Sequence, residues 1–187
     1  FILLLYDEIL FVSATSFVDQ KSPIELIKAF GEVHGKKRRH LVLLGNGPLL
    51  QTAKQLASQY SNISLKGEVT DVDEYLEVAD CFVPASLSGG LPNSVIEALA
   101  VGLPIILSDI PVHQEFQQIQ KISDDLFPVQ NRRALIKLIQ NFRPSDNAAQ
   151  ADRSIVVDHL NADVITNHYR SLYESLASAS LSLFSDE

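Results

Sequence analysis

The feature that most constrains the fold of this chain is the alternation of short apolar runs with helical segments. Six runs are predicted as strands, at residues 9–14, 40–44, 63–66, 81–84, 105–107 and 126–129. Helices are predicted after residue 92 and at residues 22–34, 49–60, 72–78, 112–118, 132–142 and 162–180. A capping box of Ser22 and Glu25 is expected to begin the first of them. This alternation predicts an α/β fold: a Rossmann-like parallel sheet of about six strands with helices on both faces.

Length and composition favour one domain over residues 1–187. The chain has 187 residues, of which 46% are hydrophobic and 20% charged, which suffices for a substantial core. The net charge of −8 argues against nucleic-acid binding. The one basic cluster, GKKRR at residues 35–39, is predicted to be a solvated connection between a helix and a strand. Cys81 is the sole cysteine, which excludes an internal disulfide and indicates a reducing, cytoplasmic compartment.

The first residues, FILLL, form an apolar run far shorter than the ~20 residues that a membrane helix needs. No basic segment precedes this run as it would in a signal peptide, and the sequence contains no methionine. We therefore expect the chain to be a fragment of a larger protein, beginning just before its first strand.

The segment from Ser86 to Asp109 reads SLSGGLPNSVIEALAVGLPIILSD and combines a loop of small residues with an apolar helix. Its glycines allow a ligand to approach the backbone closely, and Pro92 suits a helix start. Because a helix N-terminus offers free N–H groups and partial positive charge, this segment can receive an anion such as a diphosphate. Glu97 lies one turn inside the helix, where it can accept hydrogen bonds from sugar or ribose hydroxyls. A plain strand–helix connection, with Glu97 complementing the helix dipole, is the alternative.

This segment resembles the donor-site motif of retaining glycosyltransferases with the two-domain GT-B fold, grouped as glycosyl transferases group 1 or family 4. The matching residues are Gly90, Pro92, Glu97, Ala98, Ala100, Gly102 and Pro104. The first glutamate of the family motif falls on Gly89 here. The segment from residue 11 to residue 30 resembles the family's opening strand, phosphate-facing loop and first helix. There Lys21 matches the family's lysine, whereas Ser16 stands where the family has an arginine.

The resemblance implies the C-terminal half of a GT-B fold and a nucleotide-sugar as substrate, with UDP, GDP or ADP as the nucleotide. It implies that Lys21 binds the diphosphate and that Glu97 holds the ribose hydroxyls. It places the backbone of Gly67, Glu68 and Val69 beside the base, and Gly90, Leu91, Pro92 and Asn93 along the sugar and phosphates. No catalytic side chain is identified beyond Lys21 as a stabiliser of the diphosphate, and no cofactor or bound metal is expected.

The function implied by the resemblance is transfer of a sugar, hexosyltransferase-like, to an acceptor hydroxyl with retention of configuration, as in polysaccharide biosynthesis. Acceptor binding, and any peripheral association with a membrane, would belong to a missing N-terminal domain, so the isolated chain is expected to be inactive. Two alternatives remain open. The loss of polar side chains at Ser16 and Gly89 suits a degenerate nucleotide-binding or scaffolding domain, and nucleotide-sugar epimerases share the GT-B architecture.

The remaining polar residues give no further site. His113 and Glu115 could form an acid–base pair, but their spacing places them on different sides of a helix, so both are predicted to be surface residues. The other histidines are scattered, without the spacing of metal ligands.

Overall fold

A computed structural model describes residues 8–35, 38–89, 93–114 and 126–144, together with residues 163–164, 166–167, 169–171 and 173–174. The strands are β1 (Glu8–Ala14), β2 (Arg38–Leu44), β3 (Ile63–Gly67), β4 (Cys81–Phe82), β5 (Leu107–Asp109) and β6 (Leu126–Pro128). The helices are α1 (Pro23–Gly31), α2 (Leu50–Ala57), α3 (Val72–Glu77), α4 (Asn93–Ala100) and α5 (Arg132–Asn141), and a 3-10 helix spans Asp19–Lys21. Residues 111–114 are also helical, as are the described residues between 163 and 174.

The strands are parallel, which confirms the predicted α/β sheet. Four of them pair in the order β3-β2-β1-β4, and β5 pairs with β6. The two sets are joined by a parallel bridge, in which the Phe82 N–H donates to the Pro104 carbonyl at 2.8 Å and the Ile106 N–H donates to the Phe82 carbonyl at 2.9 Å. The strand order reverses between β1 and β4, and such a switch point opens a ligand crevice at the carboxyl ends of the strands.

Helices cover both faces of the sheet because residues along each strand point alternately to opposite sides. On β1, Ile9 and Phe11 belong to one buried cluster, whereas Leu10 and Val12 belong to the other. The first cluster includes residues of α1, α2 and α5, and the second includes residues of α3 and α4. Phe11 packs edge-on against Phe30, with 5.1 Å between the ring centroids. Two separate layers of apolar contact therefore hold the sheet between helices.

The start of α1 differs from the prediction. Ser22 precedes the helix, but its φ of 47° is left-handed and its side chain does not cap the helix. Its hydroxyl instead donates to the Asp19 carbonyl at 3.4 Å. The carboxylate of Glu25 pairs with Lys28 and Arg132. The predicted Ser22–Glu25 capping box is therefore wrong, because the tight turn out of the 3-10 helix orients Ser22 away from the helix.

The basic cluster is not a wholly solvated connection. Arg39 is buried in β2 with 4% of its surface exposed. Its guanidinium donates to the backbone carbonyls of Ile139 and Gln140, near the end of α5. Burial lowers the pKa of Arg39, and nearby Arg143 lowers it further. The prediction fails for Arg39 because a guanidinium can satisfy the last carbonyls of a helix from a neighbouring strand.

Candidate functional site

A cleft of about 410 Å³ lies at the carboxyl ends of β1 to β4. The first wall comes from the loop after β1, and the second from residues after β2 and β3. The third comes from the end of β4 and the start of α4. The cleft is lined by Ala14, Thr15, Ser16, Lys21, Leu44, Gly45, Asn46, Glu68, Val69, Val72, Pro84, Ser86 and Ser94. It therefore occupies the edge at which the alternating sequence predicts a ligand site.

Of the described residues that line this cleft, only Lys21 is positively charged, and it is half-buried. It ends the 3-10 helix, where its backbone N–H donates to the Val18 carbonyl at 3.0 Å. Among the described residues, no carboxylate forms an ion pair with Lys21. A half-buried ammonium without a protein counter-ion is suited to bind an anionic ligand. The structure thus brings Lys21 to the cleft, as the resemblance implies.

Gly89 lies directly against Lys21, although the two residues belong to different loops. A Cβ atom built at Gly89 would stand 3.6 Å from Lys21 Nζ and 3.5 Å from Gln20 Nε2. The φ of Gly89 is +130°, in a region that residues with a Cβ rarely adopt. The glycine therefore leaves space beside the ammonium where the family motif has a glutamate.

Gln20 ties the loop after β1 to the loop after β4. Its backbone carbonyl accepts from the Leu87 N–H at 2.8 Å. Its side-chain amide donates to the carbonyl and to the hydroxyl of Ser88, both at 3.2 Å. These three bonds hold Lys21 in a fixed relation to the small-residue loop. Gln20 could not be predicted from the sequence, because an isolated glutamine beside a lysine belongs to no recognisable motif.

The turn after β2 packs unusually close to the loop after β1. A Cβ atom at Gly45, whose φ is +128°, would lie only 1.9 Å from the Thr15 carbonyl oxygen. The Gly45 N–H donates to the Gly67 carbonyl at 2.7 Å, and the Thr15 N–H donates to the Leu44 carbonyl at 2.9 Å. Glycine is therefore required at this position for three strand ends to converge on the cleft.

The residues expected beside the base lie at the end of β3. Gly67 ends that strand, and Glu68 and Val69 line the cleft. The Glu68 carboxylate accepts from the Asn46 amide at 3.3 Å, and Asn46 Oδ1 accepts from the Gly47 N–H at 2.8 Å. Asn46 could not be singled out from the sequence, because it lies between two glycines and belongs to no motif. Its side chain connects two walls of the cleft and leaves the Glu68 carboxylate with further acceptor capacity.

The N-terminus of α4 forms the remaining wall. Gly90, Leu91 and Pro92 lie outside the described residues. Asn93 begins α4 and is exposed, and Ser94 lines the cleft. The N–H groups of this first turn have no partner within the helix and carry its partial positive charge. Glu97 lies one turn inside α4, as predicted, but it is exposed and is not among the described residues that line the cleft.

His113 is not a surface residue, and the prediction that it is exposed is wrong. It is fully buried, with 0% of its surface exposed. The helical residues 111–114 fold back against β5, so His113 Nδ1 lies 2.7 Å from the Ser108 carbonyl oxygen. Tertiary packing after a strand end, rather than the helix period, decides the burial of this side chain. Glu115 lies outside the described residues.

The part of the chain that the structure describes contains no candidate metal site and no candidate membrane span. No group of three or more histidine, cysteine, aspartate or glutamate residues there could hold a metal ion. None of the helices in that part of the chain is long and apolar enough to cross a bilayer.

Comparison with known proteins identifies the family. Residues 7–142 match the sequence model of glycosyl transferases group 1. The chain belongs to this family. It is 35% identical over 107 residues to an uncharacterised glycosyltransferase of Methanocaldococcus jannaschii, a match that covers 55% of this chain and 26% of that protein. It is 37% identical over 75 residues to the O-antigen biosynthesis glycosyltransferase WbnH of Escherichia coli, covering 40% of this chain and 22% of that protein.

Solved structures agree with this assignment at the level of the fold. S. aureus TarM, crystallised with fondaparinux, alpha-GlcNAc-glycerol and UDP, superposes with a TM-score of 0.75 at 21% identity. The superposition covers 88% of this chain and 35% of TarM. The matches span about a quarter of the length of these curated relatives and about a third of TarM. The family member described here therefore has the α/β fold of GT-B glycosyltransferases.

Proposed function

We propose that this chain is the donor-binding domain of a retaining glycosyltransferase. It would bind a nucleotide-sugar in the cleft and contribute to transfer of the sugar to an acceptor hydroxyl. The observation that carries the proposal is the half-buried Lys21, which has no carboxylate partner among the described residues and lines the same cleft as Ser94 in the first turn of α4. Both are positive features at the strand ends, where an α/β sheet binds its ligands. The UDP in the TarM crystal supports a nucleotide diphosphate as the bound group.

The chemical reason is the charge that develops during transfer. When the bond between the anomeric carbon and the diphosphate oxygen breaks, negative charge accumulates on the leaving diphosphate. A fixed ammonium and fixed helix N–H groups stabilise that charge without reorganising. The acceptor oxygen then bonds to the same face of the anomeric carbon, so the configuration is retained, and the proton of the acceptor hydroxyl passes to the leaving diphosphate. We assign Lys21, Gly90, Leu91, Pro92 and Asn93 to the diphosphate and sugar.

The other end of the cleft is assigned to the nucleoside. Gly67, Glu68 and Val69 would flank the base, and Glu97 would accept hydrogen bonds from the ribose hydroxyls. Glu97 is exposed, so its carboxylate can accept these bonds. No metal or other cofactor is invoked in this proposal.

The full protein is proposed to have two domains and to work in the cytoplasm. Residues 1–187 would form one nucleotide-sugar-binding domain, with its last helix at about residues 162–180, and a second domain would bind the acceptor. The short share of TarM and of the curated relatives that the chain covers supports this division. The name of WbnH, an O-antigen biosynthesis glycosyltransferase, supports polysaccharide assembly. A hexosyl donor is part of the proposal. The isolated chain would then bind the donor without transferring the sugar.

Calorimetric titration of the full chain with UDP, GDP and ADP tests the proposal. We expect one of the three to bind, and Glu97→Gln to weaken its binding about tenfold or more, since a hydrogen bond to a charged group contributes roughly 1.5–3 kcal/mol. Glu77→Gln, at an exposed acid that ends α3, is the matched control and should leave affinity unchanged.

Three outcomes would contradict parts of the proposal. Absence of nucleotide binding even at millimolar concentration would favour a scaffolding domain. Conversion of a nucleotide-sugar without any acceptor would favour an epimerase. Equal affinities of the Glu97→Gln variant and the unaltered chain would remove Glu97 from the ribose site.

A further inference from the structure

His113 is fully buried, and among the described residues one of its ring nitrogens has no hydrogen-bond partner. Nδ1 lies 2.7 Å from the Ser108 carbonyl oxygen. Because a carbonyl oxygen only accepts, the proton of the neutral ring is on Nδ1, and Nε2 carries a lone pair. Nε2 is buried and has no partner in the part of the chain that the structure describes. Such a group is costly in a folded protein and is commonly retained for a functional reason.

A chain of polar contacts connects this ring to the cleft. The Ser108 hydroxyl donates to the Ser86 carbonyl at 2.6 Å and lies 3.4 Å from His113 Nδ1. Ser108 is in β5, and Ser86 follows β4 and lines the cleft. All three residues are buried. His113 therefore holds Ser108 of β5 in place. Ser108 in turn holds Ser86, which lines the cleft.

The positive charge of Lys21 also acts electrostatically on the imidazole of His113. Burial lowers the pKa of His113, the hydrogen bond to Ser108 opposes that effect, and the nearby positive charge of Lys21 lowers the pKa further. On β5, the carboxylate of Asp109 is engaged by the side-chain amide of Gln114. The imidazole is therefore neutral at neutral pH, and Lys21 is the charged group of the described residues that acts on it. An anion that neutralises Lys21 would make a proton on Nε2 less costly.

We propose that His113 is a positioning residue of the donor site, which fixes Ser86 through Ser108 and whose protonation is linked to diphosphate binding at Lys21. This role rests on the proposed nucleotide-sugar function. It requires no contact between His113 and the ligand, since the ring acts through Ser108 and through the electrostatic field at Lys21.

Variants of the full chain test the positioning role. The probe is whichever of UDP-, GDP- or ADP-glucose binds most tightly, measured by calorimetry. His113→Leu removes the donor at Nδ1 and should weaken binding about fivefold or more, and Ser108→Ala should weaken it about threefold. His113→Asn can place an amide N–H near the position of Nδ1 and should stay within about twofold of the unaltered chain. If His113→Leu fails to fold, the contrast between Ser108→Ala and His113→Asn decides.

Proton linkage supplies a readout that a purely structural role would not move. Titration at about pH 6 in two buffers of different ionisation enthalpy should show proton uptake for the unaltered chain and none for His113→Asn. A nucleotide-sugar is used because its diphosphate has no ionisation in this range, unlike a terminal phosphate. Nitrogen NMR of the ligand-free chain should show the Nδ1–H form of His113.

Each result bears on a different claim. An Nε2–H ring, or a Ser108→Ala variant that binds as tightly as the unaltered chain, would overturn the positioning role. Absence of proton uptake would overturn the linkage between His113 protonation and diphosphate binding. If the unaltered chain binds none of the three nucleotide-sugars, the proposed function fails instead.

Discussion

Lys21 and Arg132 are both partly buried cations beside helix N-termini, but only Arg132 is paired with carboxylates in the described part of the chain. Arg132 Nε and Nη2 donate to Glu25 Oε2 at 3.0 and 2.7 Å, and Nη1 donates to Glu32 Oε1 at 2.7 Å. These bonds connect α5 to α1. The hydrogen bonds to Glu25 and then to Glu32 raise the pKa of Arg132. This charge is satisfied by the protein itself.

Lys21 lies in the opposite situation. It lines a cleft, and a Cβ built at Gly89 would stand 3.6 Å from its ammonium and 3.5 Å from the neutral amide of Gln20. A carboxylate placed at position 89 would neutralise the ammonium, as Glu25 and Glu32 neutralise Arg132. Arg132, which connects two helices, is surrounded by carboxylates. Lys21, which is proposed to bind a ligand, has no carboxylate partner among the described residues.

The largest effect is expected from removing the unpaired charge. Lys21→Ala should weaken binding of the preferred nucleoside diphosphate about tenfold to a hundredfold, because a charge-assisted contact contributes roughly 1.5–3 kcal/mol. Binding of the bare nucleoside should hardly change, since the lysine is expected to meet only phosphates. The difference should shrink as salt is raised toward about 1 M. Calorimetry at low and high salt measures both effects.

Lys54→Ala is the matched control, since it removes an exposed lysine of α2 that is not among the described residues lining the cleft. It should bind the diphosphate as the unaltered chain does. If Lys21→Ala weakens nucleoside and nucleoside diphosphate equally, Lys21 supports the shape of the site and does not bind the phosphates.

A smaller effect is expected from giving Lys21 a counter-ion. Gly89→Glu places a Cβ 3.6 Å from Lys21 Nζ, so its carboxylate can reach the ammonium. Both Gly89→Glu and Gly89→Gln carry the strain of a side chain at a φ of +130°. Gly89→Gln is therefore the control for strain and size. Diphosphate affinity should be about two- to fivefold weaker for Gly89→Glu than for Gly89→Gln, which is the range of a partly exposed ion pair.

Tighter diphosphate binding by Gly89→Glu than by Gly89→Gln would contradict the expectation that a counter-ion for Lys21 weakens binding. It would mean that the carboxylate orients Lys21 or binds the sugar more than it neutralises the charge. Unfolding curves of both variants establish that the two proteins are equally folded before affinities are compared.

The fold could be predicted from the sequence because its determinants are local. The apolar runs of β1 and β2 indicate strands without reference to the rest of the chain. Parallel pairing then follows from the intervening helices, and the ligand edge follows from parallel pairing. Lys21, which the resemblance assigns to the diphosphate, lines the cleft at this edge, and its binding of a diphosphate stays a prediction.

The errors concern side chains whose partners are distant in the chain. Glu25 does not cap α1, because Arg132, which is 107 positions away, takes its carboxylate. Arg39 is buried because the carbonyl of Ile139, 100 positions away, accepts from it. His113 is local to Ser108, but its burial depends on how the segment packs against β5. Periodicity reports which face a residue occupies and gives no information about such partners.

The smallest effect is expected at the paired charge. Arg132→Gln should lower the free energy of unfolding by about 0.5 kcal/mol, because a third to a half of these side chains is exposed and solvent screens the pairs. Hydrogen bonding to Lys28 most strongly lowers the pKa of Glu25, and Arg132 also lowers it. A lowered carboxyl pKa stabilises the fold above the unfolded value of about 4.3, and this contribution is lost as the pH falls through the folded pKa. The difference between Arg132→Gln and the unaltered chain, measured by urea unfolding, should therefore be present at about pH 7 and disappear toward about pH 3.

Arg133→Gln, which removes an exposed arginine of the same helix, should show no such pH-dependent loss. Equal losses for both variants would mean that helix α5 responds to its total charge, and that the pairing of Arg132 contributes nothing.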